Sequence, residues 1–308
     1  MTVSDPRVVA VGNTLIDHTY HLTNLPGPDE GAFVREYERR LGGVETNVAT
    51  ILARLGHETG LVSCVADDDD GDDVLDRLDG SPIDHVTVHR VPGVRTSYCL
   101  VLTDPEGNRA IIGGGESALE LSLTDADVAT VAAADAAFTS AYAPLDAVET
   151  LAALDTPLVY DLAGEFTDLT DRGLTRAALD DLAPDIARFV GNLTSVRSYL
   201  QTDDGPEDCC AALVARGFTA GAVTCGADGV YLFDEESVRH VPAFDVAVTD
   251  TTGAGDAFTA GLIHAWVLDD LPLDEVGRFA SALAALNCTV TGAHAESPTL
   301  EDVRSFLD

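Results

Sequence analysis

Residues Asp250–Gly261 read DTTGAGDAFTAG, small residues and an aspartate set between two apolar runs. The run before the small residues, FDVAVTD (Phe244–Asp250), alternates like a strand, and the run after them, AFTAGLIHAWVL (Ala257–Leu268), carries an apolar face at helical spacing. The junction thus predicts a helix start whose first amides lack partners within the helix. Small residues at Gly253, Ala254 and Gly255 let an anion approach those amides, and the helix dipole adds partial positive charge. Asp256 projects from the first turn beside this anion hole, where a carboxylate repels a phosphate unless its own partner is a hydroxyl proton. A carboxylate that orients an alcohol, beside amides that stabilise charge on a migrating phosphoryl group, suffices for phosphoryl transfer. An acid in a first turn also favours the dipole whatever its chemistry, so spacing alone leaves both readings open.

Working outward, RVVAVG (Arg7–Gly12), TNVATILARLG (Thr46–Gly56) and TGLVSCV (Thr59–Val65) read as a strand, an amphipathic helix closed by glycine, and a second strand. Later apolar runs in DAAFTSA, PLVYDLA, ARFVGN and AGAVTC alternate with helical stretches such as LDAVETLAAL and GLTRAALDDLA. The fold class expected is α/β, a doubly wound, mainly parallel sheet with helices on both faces, formed by residues 1–308 as one domain. Two segments, about 17–41 and 85–112, break the alternation with period-two strands and Pro/Gly turns, and are expected to form a small β lid.

Composition narrows the partners. The chain has 308 residues and 46% hydrophobic content, enough for a core without staples. Its 53 acidic residues face 17 basic ones, all arginine, for a formal charge of −36. Such a chain repels nucleic acid and anionic membranes. The charge fits a halophilic surface working near 1 M salt, where the Debye length is about 3 Å and an anionic substrate is not excluded. MTVSDPRVVAVG lacks a basic n-region, and no stretch nears the ~20 apolar residues of a membrane span, so a cytoplasmic protein is expected. The six cysteines show no CxxC pair or zinc spacing and read as reduced thiols.

Other motifs fail on inspection. ADDDDGDDVLDR (Ala66–Arg77) would put Ala66 and Arg77 at the first and last positions of a calcium loop, so it reads as a solvated loop capping a helix from Asp72. A Walker A loop needs a lysine that the chain lacks, and no strand-linked GxGxxG is present.

Two motifs in order, GGVETNVATILARLG (Gly42–Gly56) and DTTGAGDAFTAGLI (Asp250–Ile263), resemble the N- and C-terminal signatures of the ribokinase-like (PfkB) family of sugar kinases. The resemblance spans nearly the whole chain. It implies ATP as donor, magnesium, and transfer to a primary hydroxyl of a sugar or sugar phosphate. It assigns Asp256 as catalytic base and Gly253–Gly255 as anion hole, and it places Asp17, Gly42, Gly43 and Asn47 at the acceptor. Thr224, Gly226 and Gly229 in VTCGADG, with Asn192, match its nucleotide site. Asp250 and Thr252, with carbonyls near Asn287 and Gly292, match a monovalent-cation site that suits potassium. Asp17 as a turn residue and Asn47 as a helix cap are the structural alternatives.

Three departures concern metal and acceptor. Ser195 stands where the family carries a glutamate after Asn192, Val44 and Glu45 replace lysine and glycine of ribokinase's own motif, and Leu15 replaces a sugar-binding asparagine. Arg35, Arg39, Arg40, Arg90, Arg95 and Arg109 cluster in or beside the expected lid and point to a phosphate-bearing acceptor such as ribose 1-phosphate or fructose 6-phosphate. Arg109 also falls near a phosphate-binding arginine of phosphosugar-using relatives. Pairing with Glu30, Glu36 and Glu38 is the competing account. His18 and His21 follow Asp17 closely enough to line the acceptor pocket, though histidines there are commonly solvated. Tyr20, Phe33, Tyr37 and Tyr98 keep a nucleoside acceptor in play, and the lost glutamate keeps a catalytically inactive sugar or nucleotide sensor. Exposed lid edges also allow a homodimer.

Overall fold

The computed structural model describes residues 6–170, 172–290 and 297–308. Thirteen strands are found among them, nine in one sheet and four in another. The chain opens with β1 (Val8–Gly12), then β2 (Leu15–Leu22), β3 (Val34–Gly42), β4 (Thr59–Ala66), β5 (His85–Val91), β6 (Tyr98–Thr103) and β7 (Arg109–Gly114). It continues with β8 (Ala136–Ser140), β9 (Leu158–Asp161), β10 (Arg188–Asn192), β11 (Ala220–Thr224), β12 (Val230–Asp234) and β13 (Val238–Val241). The large sheet runs β13-β12-β11-β10-β9-β8-β1-β4-β5, with every strand in one direction except β12, which is antiparallel to both its neighbours. Helices cover both faces, each over its own apolar cluster. This is the expected doubly wound α/β architecture. Its strands β1, β4, β8 and β9 are buried at every position, as parallel strands sandwiched between helices must be.

The small sheet has the order β3-β2-β6-β7, with β2 and β6 parallel and the outer pairs antiparallel. One part of the expected lid is not in it. β5 pairs in parallel with β4 over seven residues and forms the edge of the large sheet, because its alternating sequence HVTVHRV suits a strand with one solvated face.

Two further local expectations are corrected. Phe244–Asp250 forms no strand. It follows Pro242, which has no N–H to donate, and Phe244 packs edge-on against Phe306 at 5.1 Å instead of joining a ladder. The helix in the acidic run begins before Asp72: it spans Asp69–Asp79, and Asp68 is its cap, accepting from Gly71 N at 2.9 Å. Asp68 also accepts from Thr96 N and Oγ1, which ties this helix start to the chain entering β6. All six cysteines are free thiols.

Candidate active site

The topology already marks a place for a ligand. β1 lies between β4 and β8, and the chain leaves β1 in one direction and returns on its other side, so a crevice opens at the carboxyl ends of β1 and β8. Gly42 and Gly43, at the end of β3, lead into the helix Val44–Arg54 above that crevice. Backbone approach requires glycine at Gly43, and at Gly42 a side chain would displace Asp17. A Cβ on Gly42 would lie 2.3 Å from Asp17 Oδ2, and one on Gly43, whose φ is +104°, would lie 2.4 Å from Asn13 O. The Asp17 carboxylate is thereby laid against bare backbone. Burial raises its pKa to about 6, with Arg40 pulling the other way.

Asp256 sits in the first turn of the helix Ala254–Leu262, whose N-cap is Gly253 at φ +75°. Asn47 Nδ2 donates to Asp256 Oδ2 at 2.6 Å, so two residues 209 positions apart in sequence meet in one bond. Asn47 is therefore not a helix cap. Burial raises the Asp256 pKa to about 7; the Asn47 bond opposes the shift, and the charges of Asp161, Glu45 and Asp17 add to it. A carboxylate tuned near neutrality is what a general base requires. Ala254 N leans on Thr251 O at 3.3 Å, which leaves Gly255 and Asp256 to offer first-turn amides. A Cβ on Gly255 would meet nothing within 4 Å, so this glycine borders open space rather than packing.

Two cavities meet at the loop just before this helix start. One, about 620 Å³, is lined by Thr224, Gly226, Gly229, Phe244, Ala254 and Gly255 among others. Gly229 has φ +91°, and a Cβ there would lie 2.1 Å from Val241 O, so the turn between β11 and β12 admits only glycine. Asn192 lies beside Thr224 in register at the ends of β10 and β11, but its side chain accepts from Ser195 N at 2.9 Å and caps the helix Leu193–Leu200. The other cavity, about 1360 Å³, contains Asp17, Thr19, His21, Arg40, Val101 and Arg109 on the side of the small sheet and Asp250–Thr252 on the side of the large one. Thr251 lines both. No sequence signal singled it out beyond its place in the motif.

The arginine cluster divides. Arg39 pairs with Asp70 at 2.6 Å and Asp73 at 3.0 Å, Arg90 pairs with Asp67 and Asp72, and Arg95 lies 4.8 Å over the Tyr98 ring. These three are occupied elsewhere, and Arg35 is exposed outside the cavity. Arg40 lines the cavity but pairs with Glu38. Arg109 lines it with no carboxylate partner among the described residues; its Nη1 donates to Thr252 Oγ1 at 3.1 Å.

Strand alternation also sorts the aromatics. Tyr20, Tyr37 and Tyr98 share a face with His18, which bonds to Tyr37 at 2.7 Å, whereas Asp17, Thr19 and His21 occupy the cavity face. His21 accepts from, or donates to, Thr103 Oγ1 at 2.9 Å, and its ligating atoms and those of Glu36 and Glu38 lie within 4.8 Å of one another. In the cation motif, Asp250 Oδ1 accepts from Thr252 N at 2.9 Å and Asn287 Nδ2 donates to Thr252 O at 3.2 Å, while Gly292 lies outside the described residues.

Sequence reasoning gave no role to Glu45 or Asp161. Asp161 ends β9 and accepts from Thr259 Oγ1 at 3.1 Å, one turn beyond Asp256. Glu45 is fully buried and accepts from Asn13 N at 2.9 Å and Ser140 N at 2.8 Å. Its only sequence signal was its departure from ribokinase's motif.

A crevice at the carboxyl edge of a doubly wound sheet, two cavities meeting at the loop before a helix start with free amides, and a carboxylate poised near neutrality define an ATP-dependent phosphotransferase. More narrowly, the chain belongs to the pfkB family of carbohydrate kinases, whose model matches residues 5–300. An ATP-dependent ribose-1-phosphate kinase of Halopiger xanaduensis is 29% identical over 306 residues, 98% of each chain. A ribokinase of Haemophilus influenzae is 25% identical over 311 residues, again 98% of each. The crystal structure of a Thermotoga maritima ribokinase shares the fold with a TM-score of 0.84 at 22% identity, covering 98% of this chain and 99% of that one. Among the described residues no helix is long and apolar enough to cross a membrane.

Proposed function

We propose that this kinase transfers the γ-phosphoryl group of ATP to a hydroxymethyl group of a phosphorylated sugar, with ribose 1-phosphate and fructose 6-phosphate as the leading acceptors. The observation that carries this reading is Arg109, a guanidinium without a carboxylate partner in the described structure, facing the same cavity as Asp17 and the loop before the anion hole. Arg offers paired donors to phosphate oxygens. The Halopiger relative, named for ribose 1-phosphate, adds to it. Tyr20, Tyr37 and Tyr98, three of the four aromatics that could stack a base, lie on the opposite face of the small sheet, which weighs against a nucleoside acceptor. The retained Asp256 weighs against a sensor without chemistry.

In this mechanism the acceptor lies between Asp17 and Asp256 under the small sheet, and ATP lies in the cavity bordered by Thr224, Gly226 and Gly229, with Asn192 at the edge of that site. Asp256 takes the hydroxyl proton as the acceptor oxygen bonds to the γ-phosphorus, and the bond to the β-phosphate oxygen breaks to release ADP. In the anion hole Gly253–Gly255 the Gly255 amide, followed by that of Asp256, faces charge on the moving group, while Ala254 N is turned to Thr251 O. Closure of the small sheet as a lid excludes water that would otherwise hydrolyse ATP. Ser195 is buried and offers no carboxylate, so magnesium fits as an ion carried by nucleotide phosphates rather than caged by protein; when bound it neutralises phosphate charge. Asp250, Thr252 and the nearby carbonyl of Cys288, which already accepts from Asp250 N at 3.2 Å, form an oxygen-rich turn that fits potassium.

The enzyme is further proposed to work in the cytoplasm at high salt, in keeping with its charge of −36, and to dimerise through the small sheet. The test is ADP formation over a panel of sugars, sugar phosphates and nucleosides in high KCl. Turnover confined to phosphorylated acceptors supports the reading. Saturating turnover of neutral sugars or nucleosides in preference to them overturns it.

A further inference from the structure

We propose that Glu45 is a positioning residue for phosphoryl transfer: its carboxylate bridges the ends of β1 and β8 across the ligand crevice and thereby fixes the helix turn that holds Asn47 against Asp256. This goes beyond the assignment of Asp256 as base, and rests on it.

The geometry is specific. Oε2 accepts from Asn13 N at 2.9 Å, just past β1, and Oε1 accepts from Ser140 N at 2.8 Å, the last residue of β8. These strands diverge at this edge, where neither end has a further ladder bond to the other: their pairing runs only from Val8 to Ala10 on β1 and Ala136 to Phe138 on β8. A buried carboxyl group that accepts one backbone N–H at the end of each strand replaces the missing ladder. The sequence has made room for it, since a Cβ on Gly12 would lie 2.6 Å from Glu45 Oε1. Glu45 and Asn47 occupy the same turn of the helix Val44–Arg54, and Asn47 reaches Asp256 at 2.6 Å. The clamp therefore connects the crevice floor to the base through three residues of one helix.

The groups acting on Asp256 are Asn47 and Glu45 from this helix, Asp161 from β9 and Asp17 from β2. Glu45 itself is shifted chiefly by burial, which raises its pKa to about 7, while the bonds from Ser140 and Asn13 pull the other way; its charge in turn helps to raise Tyr142, just beyond β8. Removing the Glu45 charge makes Asp256 more acidic, and moving the clamp displaces Asp256 relative to the acceptor.

Glu45→Gln keeps the shape but leaves one N–H facing an amide donor. With a circular dichroism spectrum and ATP affinity like those of the parent, its kcat is expected to fall about 10²-fold, in line with a displacement near 1 Å, and the acid limb of its kcat profile to move to lower pH. Glu45→Asp keeps the charge but not the reach, so its kcat falls while the acid limb stays. An unchanged kcat and pH profile in folded Glu45→Gln overturns the proposal. If that variant does not fold, the parent enzyme decides by NMR: amide protons of Asn13 and Ser140 that shift together as one carboxyl group titrates support the clamp, and independent or absent shifts overturn it. Asp256→Ala is assayed in parallel. Retained turnover there defeats the reading of Asp256 as base, whereas loss of turnover there with parental behaviour in Glu45→Gln defeats only the clamp.

Discussion

Arg109 of the small sheet and Thr252 of the large domain are joined across the mouth of the cleft, Nη1 to Oγ1 at 3.1 Å. The bond is exposed and neutral on one side, so it contributes little to stability. It holds the guanidinium beside the loop that becomes the anion hole, from which an acceptor phosphate can draw it. A charge-assisted bond of this kind contributes about 1.5–3 kcal/mol. Arg109→Ala is therefore expected to raise KM for a phosphorylated acceptor roughly 10- to 100-fold and to leave KM for ATP unchanged. Steady-state kinetics with both substrates varied checks this, and saturating turnover of neutral sugars that Arg109→Ala leaves unaltered refutes it.

Asp256→Asn preserves volume and still accepts from Asn47, so the helix start should keep its shape. What it loses is the ability to take a proton. kcat is expected to fall about 10²–10⁴-fold, the usual contribution of a positioned base, with acceptor KM nearly constant. A kcat within threefold of the parent, measured by coupled ADP release, contradicts the assignment.

The fold was readable because helices and parallel strands impose different periods, and those periods survive in runs such as DAAFTSA and LDAVETLAAL. Residues tied to backbone geometry were readable for the same reason: only glycine tolerates the approaches at Gly43 and Gly229. Side chains whose value depends on a distant partner were not. Nothing in the sequence says that Arg39 and Arg90 are consumed by the acidic helix Asp69–Asp79 and its cap region while Arg109 is not. The same holds for Phe244–Asp250, which has the composition of a strand but no strand to pair with, and for Glu45, whose two donors come from strands more than 90 residues apart.

The pH dependence of stability and of activity should run in opposite directions around Asp256. Its pKa in the folded chain is raised from 3.8 to about 7, chiefly by burial. A raised value means that the folded state binds the proton more tightly, so this contribution to stability is full below pH 3.8 and is lost as pH rises through about 7. Catalysis needs the deprotonated form and fails as pH falls through the same value. Asp256→Asn is thus expected to raise Tm by a few degrees at pH 8, with the gain vanishing near pH 4, while the parent's kcat has its acid limb near pH 7. Thermal melts across pH 4–8 and a kcat profile test the pair of signs; a variant that is less stable than the parent at pH 8 contradicts them.

Association through the small sheet makes the last prediction. Among the described residues, Phe33 (81% exposed), Val34 (55%), Tyr37 (44%), Ile111 (56%) and Ile112 (50%) are five of the seven large apolar side chains left in solvent, and all lie in this sheet or the loop that enters β3. Its outer strands β3 and β7 also carry unpaired ladder edges, which invite a second copy. Opposing this is mutual repulsion between chains of charge −36, which acts over about 10 Å at 0.1 M salt and about 3 Å at 1 M. The dimer is therefore expected to tighten as KCl rises from 0.1 to several molar, the reverse of an ion-pair interface. Ile111→Asp adds a charge on the edge strand β7 and should shift sedimentation to the monomer even at high KCl, with the circular dichroism spectrum unchanged. Because Arg109 lies on the same strand, this variant should also raise acceptor KM if a second copy steadies the lid. A parent enzyme that remains monomeric at every salt concentration refutes the association.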